Sequence, residues 1–279
     1  MLIHPCSSRA HTGWTEMADR RAVKLRVAGW IDTSLVDVLG DVSFTVWFNY
    51  CNFRCPWCQN AHVVRAEVTK EVSVGELLDA ISEALPLVGY VHATGGEPTL
   101  QPEGLEALFS GCKEELGVKT SLDTNSSRPD IIEELFERGL VDHFATDVKA
   151  PLGEPDKYGT VIGLPGRGEE FVEKVRRSIQ IAIEKAPFIE VRTTLVPTLI
   201  TNDDIIAIAL ELAEMGLKDR PRAFYVLQQF FPAGTLMDPS FASVERIPAE
   251  ELVRLAEEVV DETGLEVYVR TQEMGVIKA

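Results

Sequence analysis

The sequence predicts an α/β fold, an open partial barrel of six parallel strands, and two observations predict it. Six short apolar runs alternate in series with helix-like segments, and such a series requires a parallel sheet with right-handed crossovers. Polar residues follow these runs at their carboxyl ends, which meet at one mouth in a barrel. The alternation alone also permits a doubly wound sheet. The polar residues favour the barrel, because a doubly wound sheet gathers ligands at one switch point.

Composition and spacing place the individual elements. Strands are predicted where β-branched and aromatic residues cluster, and helices where apolar residues recur every three or four positions. The strands cover residues 42–48, 90–94, 118–122, 141–148, 188–195 and 223–228, with a candidate extra strand at 266–270. The helices cover about 74–85, 103–115, 131–136, 171–183 and 250–262, and another begins at the N-cap sequence Thr201-Asn202-Asp203-Asp204.

Composition and charge exclude several classes of protein. The chain has 279 residues, 45% of them hydrophobic, which is enough to bury a core. It carries 44 acidic residues against 27 Lys and Arg, a formal net charge of −17. This excess argues against nucleic-acid or anionic-membrane partners, because phosphate is bound by clustered cations. No apolar run approaches the ~18 residues of a membrane span, and the protein is expected to be cytoplasmic.

The first 22 residues differ from the rest of the chain. They are polar, mixed in charge and without a regular period, so residues 1–22 are predicted to form a flexible leader. Met17 lies within this segment and is an alternative start. No composition break or long linker divides residues 23–279, which are predicted to form one domain.

Three of the five cysteines follow the first predicted strand in the pattern Cys51-x3-Cys55-x2-Cys58. This clustering is typical of a metal or catalytic site rather than of a disulfide framework. Three thiolates on a tight loop can hold three corners of a cubane iron–sulfur cluster, and the absence of a fourth cysteine leaves one iron open to another ligand. The alternative metal is zinc, because His62 could complete a Cys3His site.

Glycines and a carboxylate follow the second strand as Gly95-Gly96-Glu97-Pro98. The two glycines permit close backbone approach to a ligand, and Glu97 offers an anionic acceptor for a cationic amino group. Taken alone, this composition is also typical of an ordinary turn before a helix.

Further polar residues end the later strands, and each also has a structural interpretation. They could form a helix-capping turn, a surface ion pair or a solvated strand charge. Arg192 is the least easily explained, because it interrupts the apolar run FIEVRTTLVP and requires an anionic partner. The candidate residues are Asp123, Thr124 and Asn125 after the third strand, Asp147 and Lys149 after the fourth, Arg192 in the fifth, and Gln228 and Gln229 in the sixth.

Together, the cysteine spacing, Trp57 before the last cysteine and the Gly-Gly-Glu-Pro sequence resemble the radical S-adenosylmethionine (radical SAM) superfamily. The resemblance covers the chain from about Lys24. The segment VWFNYCNFRCPWCQN, the stretch TSLVD before it, and LDTN and DVK after it are similar to the glycyl-radical-enzyme activating group. Within that group, the chain most resembles the activating proteins of anaerobic ribonucleoside-triphosphate reductases. The chain departs from this group at two points. The usual Asp-x-Pro-Gly-like opening is replaced by Asp37-Val38-Leu39-Gly40, and Asn125 is followed by Ser126 rather than by glycine.

The resemblance implies a site for two cofactors. Cys51, Cys55 and Cys58 would ligate a [4Fe–4S] cluster, whose open iron would be chelated by S-adenosylmethionine. Trp57, which taken alone could equally be a core aromatic, would pack beside the cluster and the adenine. The resemblance further implies that Gly95, Gly96 and Glu97 contact the methionine amino group and that Asp123 and Thr124 lie near the cofactor carboxylate. Asp147 and Lys149 are also expected to bind the cofactor. From the residues themselves, the cofactor carboxylate is a candidate partner for Arg192, and Gln228 is a candidate contact to ribose or adenine.

The resemblance also implies a reaction and its partners. Reductive cleavage of S-adenosylmethionine would give a 5′-deoxyadenosyl radical that removes a glycine Cα hydrogen from a glycyl radical enzyme, with anaerobic ribonucleotide reductase as the expected target. The electron would come from a low-potential donor such as flavodoxin or ferredoxin. The alternatives are a radical SAM enzyme acting on a small molecule or another protein and, from a different class, a non-catalytic zinc-stabilised binding protein.

Overall fold

A computed structural model describes residues 19–279 of the chain. Its ten strands form one mixed sheet in the order β10-β9-β8-β7-β6-β5-β4-β2-β1-β3. The strands are β1 (Lys24–Ser34), β2 (Ser43–Phe48), β3 (Lys70–Ser73), β4 (Tyr90–Gly95), β5 (Lys119–Thr124), β6 (His143–Asp147), β7 (Ile189–Leu195), β8 (Ala223–Gln229), β9 (Val267–Thr271) and β10 (Gly275–Lys278). The predicted leader falls mostly outside the described residues.

Parallel pairing dominates the sheet. Strands β2, β4, β5, β6, β7, β8 and β9 are parallel to one another, so the six predicted strands and the candidate seventh are all present. β1, β3 and β10 are antiparallel additions at the two sides. Because β3 and β10 are edge strands, the sheet formed by residues 19–279 is not closed. The predicted open partial barrel is confirmed.

Eight α-helices that lie wholly within the described residues connect or flank these strands, and residues 19–22 before β1 are also helical. None of them is long and apolar enough to cross a bilayer. They are α1 (Ala61–Val64), α2 (Val74–Ala84), α3 (Pro102–Gly111), α4 (Pro129–Glu137), α5 (Pro155–Val161), α6 (Gly168–Lys185), α7 (Asn202–Glu214) and α8 (Ala249–Thr263).

Local sequence explains where these helices begin and end. The predicted start of α7 is confirmed, since Thr201 and Asp204 form a capping box in which each side chain accepts the other residue's backbone N–H. The helix predicted over 103–115 is instead α3 followed by a π-helical turn, Cys112–Leu116. Gly117 ends this turn at a φ of 64°, a conformation that glycine adopts without strain.

The two faces of the sheet have different surroundings. Apolar strand residues such as Val91 and Ala93 pack with the helices in one large hydrophobic core. His92 lies between them in sequence and points to the opposite face, because strand side chains alternate. Tyr90, two residues before His92 and on the same face, packs with Val38 and Phe188 in a second, smaller hydrophobic cluster.

Candidate active site

A cavity of about 370 Å³ lies where the parallel strands end. It is lined by residues at and just after the carboxyl ends of β2, β4, β5, β6, β7 and β8, as expected for the mouth of a parallel barrel. Every residue of the predicted site lines it except Glu97 and Arg192. The lining set includes Cys51, Cys55, Trp57, Cys58, Gly95, Gly96, Asp123, Thr124, Asp147, Lys149 and Gln228, with Asn125 and Gln229 beside them.

The cysteine loop is held on both sides by backbone hydrogen bonds. Within the loop, the Cys58 N–H donates to the Cys55 carbonyl at 3.0 Å. A distant segment, residues 231–238, which we call the strap, also contacts the loop. The Met237 N–H donates to the Cys58 carbonyl and the Asp238 N–H donates to the Pro56 carbonyl, each at 2.9 Å. The loop is therefore fixed by a segment more than 170 residues away in sequence.

The three thiols lie in an environment that disfavours their charged form. Burial raises the pKa of Cys51 to about 11 and that of Cys55 to about 12, and it also raises the pKa of Cys58. The cation of Lys149 acts in the opposite direction on all three. Thiols of this kind become thiolates when a metal replaces their protons, so cation binding and proton release are coupled at this loop.

His62 does not complete the cysteine site. It lies on α1 and does not line the cavity that the three cysteines line. Within residues 19–279, no three His, Cys, Asp or Glu side chains are arranged to hold a single metal ion. The structure thus does not bring together the ligands that the zinc alternative requires.

Gly95 and Gly96 are required by the packing of two strand ends. Gly95 has a φ of 109°, in the left-handed region. A Cβ on Gly96 would lie 1.9 Å from the Tyr50 carbonyl oxygen, and this oxygen is held in place by the Glu97 N–H, which it accepts at 2.7 Å. The absence of side chains lets the end of β4 approach the cysteine loop and also leaves backbone open to the cavity.

The Glu97 carboxylate is fully buried and satisfied by protein donors. It accepts the Asn125 N–H and the Thr124 hydroxyl, both at 2.7 Å, and the Thr99 N–H at 3.0 Å. These contacts join the end of β4 to the end of β5. Contact of Glu97 with a methionine amino group stays a prediction, because all these contacts are within the protein.

Arg192 has the anionic partners that its position required, and they belong to the protein. Its guanidinium donates to Asp123 and, at 3.0 Å, to Asp147, and lies 3.7 Å from Glu190. Although burial opposes the ionised forms, the facing charges raise the pKa of Arg192 and lower that of Asp147, with help from Lys149. Asp123 and Asp147 line the cavity above it, so Arg192 positions two carboxylates that face the cavity.

Trp57 packs against the hydrophobic core and also contacts Lys149, so its contact with the cofactors stays a prediction. The Lys149 ammonium lies 5.2 Å from the Trp57 ring centroid, within range of a cation–π contact, and 3.4 Å from Asp147. Both side chains line the cavity. Lys149 thus brings a positive charge to the cysteine side of the site.

Sequence reasoning missed a polar layer beneath the cavity. Ser121 joins His92 and His143 through hydrogen bonds of 2.7 and 2.8 Å, and the other nitrogen of His143 lies 3.7 Å from Glu190. Glu190 also accepts from Arg270 at 3.1 Å. The available signal was a period of two, since three residues of the layer precede a polar residue of the site by two positions: His92 and Thr94, Ser121 and Asp123, Glu190 and Arg192.

These features define the class of the protein: an α/β barrel enzyme with a three-cysteine loop and a glycine-rich strand end at one cavity. The family model described as Radical SAM superfamily matches residues 45–212, and the chain belongs to this superfamily. Its cofactors are accordingly a [4Fe–4S] cluster and S-adenosylmethionine. The family assignment also decides against a non-catalytic zinc-stabilised binding protein.

Three proteins illustrate the similarity. A Methanocaldococcus jannaschii protein named as a candidate glycyl-radical enzyme activating enzyme is 30% identical over 86% of this chain and 95% of its own length. The pyruvate formate-lyase-activating enzyme of Clostridium pasteurianum is 30% identical over 59% of this chain and 66% of its own. The crystal structure of Streptococcus suis SuiB bound to precursor peptide SuiA has a TM-score of 0.61 at 11% identity, covering 96% of this chain and 57% of SuiB, a likeness of fold alone.

The donor groups of the cavity fit these cofactors. Three sulfurs from one loop suit an iron–sulfur cluster better than a hard cation, which prefers oxygen ligands. Around them, two carboxylates, an ammonium, amides and bare glycine backbone offer partners to the charged methionine end and to the polar ribose of S-adenosylmethionine. The cavity therefore holds groups complementary to each part of the two cofactors.

Proposed function

We propose that this protein activates a glycyl radical enzyme, and that the target is an anaerobic ribonucleotide reductase. The observation that carries the proposal is the cavity in which the three-cysteine loop meets the Gly95-Gly96 strand end. The similarity to the Methanocaldococcus jannaschii protein, which extends over nearly the full length of both chains, supports the activating type. The choice of reductase rests on the motif resemblance in the sequence.

The cofactors supply the redox chemistry: together, the cluster and S-adenosylmethionine provide one electron and the radical that removes a hydrogen atom from a glycine Cα. The chain's own residues hold and orient them. Cys51, Cys55 and Cys58 would bind three irons and leave the fourth for S-adenosylmethionine.

The other cavity residues would bind S-adenosylmethionine. Backbone at Gly95 and Gly96 would receive the methionine end, and Trp57 and Gln228 would contact the nucleoside. Asp123 and Asp147, fixed by Arg192 from below, would orient the charged groups. Lys149 would neutralise part of the negative charge that three thiolates bring to the site.

A protein substrate requires an accessible cavity, and an electron must reach the cluster from outside. The sheet formed by residues 19–279 is open, which suits the entry of a peptide loop better than a closed barrel would. We propose flavodoxin or ferredoxin as the donor and the cytoplasm as the location. The acid excess supports the absence of a nucleic-acid partner.

The test begins with anaerobic reconstitution of the wild-type protein, which should give a brown protein with about four irons per chain. Cys55→Ala should lose the cluster and the cleavage of S-adenosylmethionine. Cys112→Ala is the matched control, because Cys112 is also buried but lies in the π-helical turn after α3, away from the cavity. A colourless protein with one zinc, or normal cleavage by Cys55→Ala, would contradict the cluster assignment.

The target is tested separately. Mixing the reduced wild-type enzyme with S-adenosylmethionine and purified anaerobic ribonucleotide reductase should produce a glycyl radical signal in electron paramagnetic resonance. The same mixture with Cys55→Ala should give no signal. Cleavage of S-adenosylmethionine without a glycyl radical would overturn the reductase as target and favour a small molecule or another protein as substrate.

A further inference from the structure

Asn125 makes a side-chain contact to a cysteine sulfur from outside the cysteine loop. Its amide Nδ2 donates to Cys51 Sγ at 3.5 Å and to Asn52 Oδ1 at 2.8 Å. The orientation of the amide is fixed, because Asn125 Oδ1 accepts the Ser127 backbone N–H at 3.0 Å, and a backbone N–H can only donate. The nitrogen must therefore face the sulfur.

The position of Asn125 is set by the buried carboxylate of Glu97. Glu97 Oε2 accepts the Asn125 backbone N–H at 2.7 Å, while Oε1 accepts the hydroxyl of the preceding Thr124 at 2.7 Å. Both Glu97 and Asn125 are buried, and hydrogen bonds to an ionised carboxylate are among the stronger ones in proteins. A path of three residues thus runs from Glu97 through Asn125 to the sulfur of Cys51.

We propose that Asn125 is a positioning residue that raises the reduction potential of the iron–sulfur cluster through its hydrogen bond to Cys51, and that Glu97 holds it there. This inference rests on the proposed ligation of the cluster by Cys51, Cys55 and Cys58. It gives the Gly-Gly-Glu-Pro carboxylate a role toward the cluster, separate from any contact with S-adenosylmethionine.

The direction of the effect follows from charge. A cluster with three thiolate ligands becomes more negative when it is reduced, and an N–H donor to a ligand sulfur stabilises the more negative state more strongly. Hydrogen bonds to the sulfurs are one of the factors that set the potentials of such clusters, and partners of metal ligands tune the metal in the same way. Loss of the donor should lower the potential.

The test compares Asn125→Ala with Ser127→Ala in the reconstituted holoenzyme. Each variant truncates one buried polar side chain of the same loop, but only Asn125 contacts the sulfur, whereas the Ser127 hydroxyl accepts from Asn52 at 2.8 Å. The cluster potential is measured by redox titration followed by electron paramagnetic resonance. We expect the equilibrium constant for one-electron reduction of the cluster to be about threefold to tenfold smaller in Asn125→Ala than in wild type. This corresponds to a reduction potential about 30 to 60 mV lower.

Asn125→Asp provides a second variant. It keeps the shape of the side chain and the acceptor for Ser127 but replaces the donor by a negative oxygen, so its potential should fall below that of Asn125→Ala. It carries the test if the alanine variant does not assemble a cluster. The inference would be overturned if either Asn125 variant had the same reduction potential as the wild-type protein or as Ser127→Ala. Failure of the wild-type protein to bind about four irons would instead overturn the ligation on which the inference rests.

Discussion

Arg192 Nε donates a hydrogen bond of 3.0 Å to Asp147 Oδ1, and the two residues are paired neighbours on parallel strands β6 and β7. The same guanidinium also contacts Asp123 on β5. One buried cation therefore holds two carboxylates that line the cavity.

Replacing Arg192 by Gln should destabilise the protein strongly. It would leave Asp123, Asp147 and Glu190 without their shared partner, and removal of one member of a buried ion pair costs about 3 to 5 kcal/mol. Urea unfolding measures this loss. Arg192→Lys should recover part of it, because one ammonium restores the charge but not the planar fork of donors.

The matched control for Arg192 is an exposed pair. Arg128 contacts Asp130 at 2.9 Å, but these side chains are 35% and 62% exposed, so Arg128→Gln should change stability by less than about 1 kcal/mol. Equal losses for the buried and the exposed variant would contradict the role given to Arg192.

His143 should make the fold less stable in mild acid. Burial is the main cause that lowers its pKa well below the ordinary 6.5, so it is neutral in the folded protein. When unfolded, it binds a proton below about pH 6.5, and acid therefore favours the unfolded state. The contribution is about 1.4 kcal/mol per pH unit below that value. His143→Gln should reduce the slope of stability against pH between pH 6.5 and 5, measured by urea unfolding.

The slope should not vanish in that variant, because burial also lowers the pKa of His92 in the same layer. His62→Gln, on α1 and outside the layer, is the control. An unchanged slope in His143→Gln would show that the folded protein accommodates the protonated ring, against this prediction.

Gly96→Ala should disrupt the site through the backbone. The new Cβ would lie 1.9 Å from the Tyr50 carbonyl oxygen, so the end of β4 and the cysteine loop would have to separate. Forced overpacking of this kind costs about 1 to 3 kcal/mol, and binding of S-adenosylmethionine, measured by calorimetry, should be lost. Gly29→Ala is the control, because a Cβ there meets no atom within 4 Å. Retained binding in Gly96→Ala would contradict the prediction.

The sequence predicted the central strands because they are largely buried, and segments such as Ser43–Phe48 and Ala223–Gln229 are accordingly rich in β-branched and aromatic residues. β1 is an exception: in Lys24–Ser34, only Leu25, Val27 and Ser34 are buried, so its apolar signal is weak. The short strands β3 and β10 lie at the sheet edges with most residues exposed or half-buried. Antiparallel edge pairing is decided by neighbours that are distant in sequence, which a local pattern does not reveal.

Most of the candidate site was predictable for a topological reason. Parallel strands place their carboxyl ends together, so residues after successive strands share one cavity. The partners of Glu97 and Arg192 were not predictable, because they come from neighbouring strands whose register only the fold sets. The expectation that Arg192 needs an anion was sound, and the anions are Asp123, Asp147 and Glu190.

The strap should control how firmly the cysteine loop holds iron. Gly234 in this segment has a φ of 72°, and a Cβ on it would lie 2.7 Å from the Gln59 carbonyl oxygen. The adjacent Thr235 carbonyl accepts the Ala61 N–H at 2.9 Å. Gly234→Ala should push the strap away and weaken its hydrogen bonds to the loop, so the reconstituted protein should lose iron to a chelator several-fold faster than wild type.

Gly216→Ala is the matched control for the strap. Gly216 also has a positive φ, 95°, but a Cβ there meets no atom within 4 Å, so this variant carries similar backbone strain without displacing the cysteine loop. Iron release is followed anaerobically by the absorbance of a ferrous chelator complex, and folding is checked by circular dichroism. Equal release rates in the two variants would mean that backbone strain alone weakens the cluster. Faster release in Gly234→Ala, with the fold intact, would show that contacts from a distant segment retain the metal.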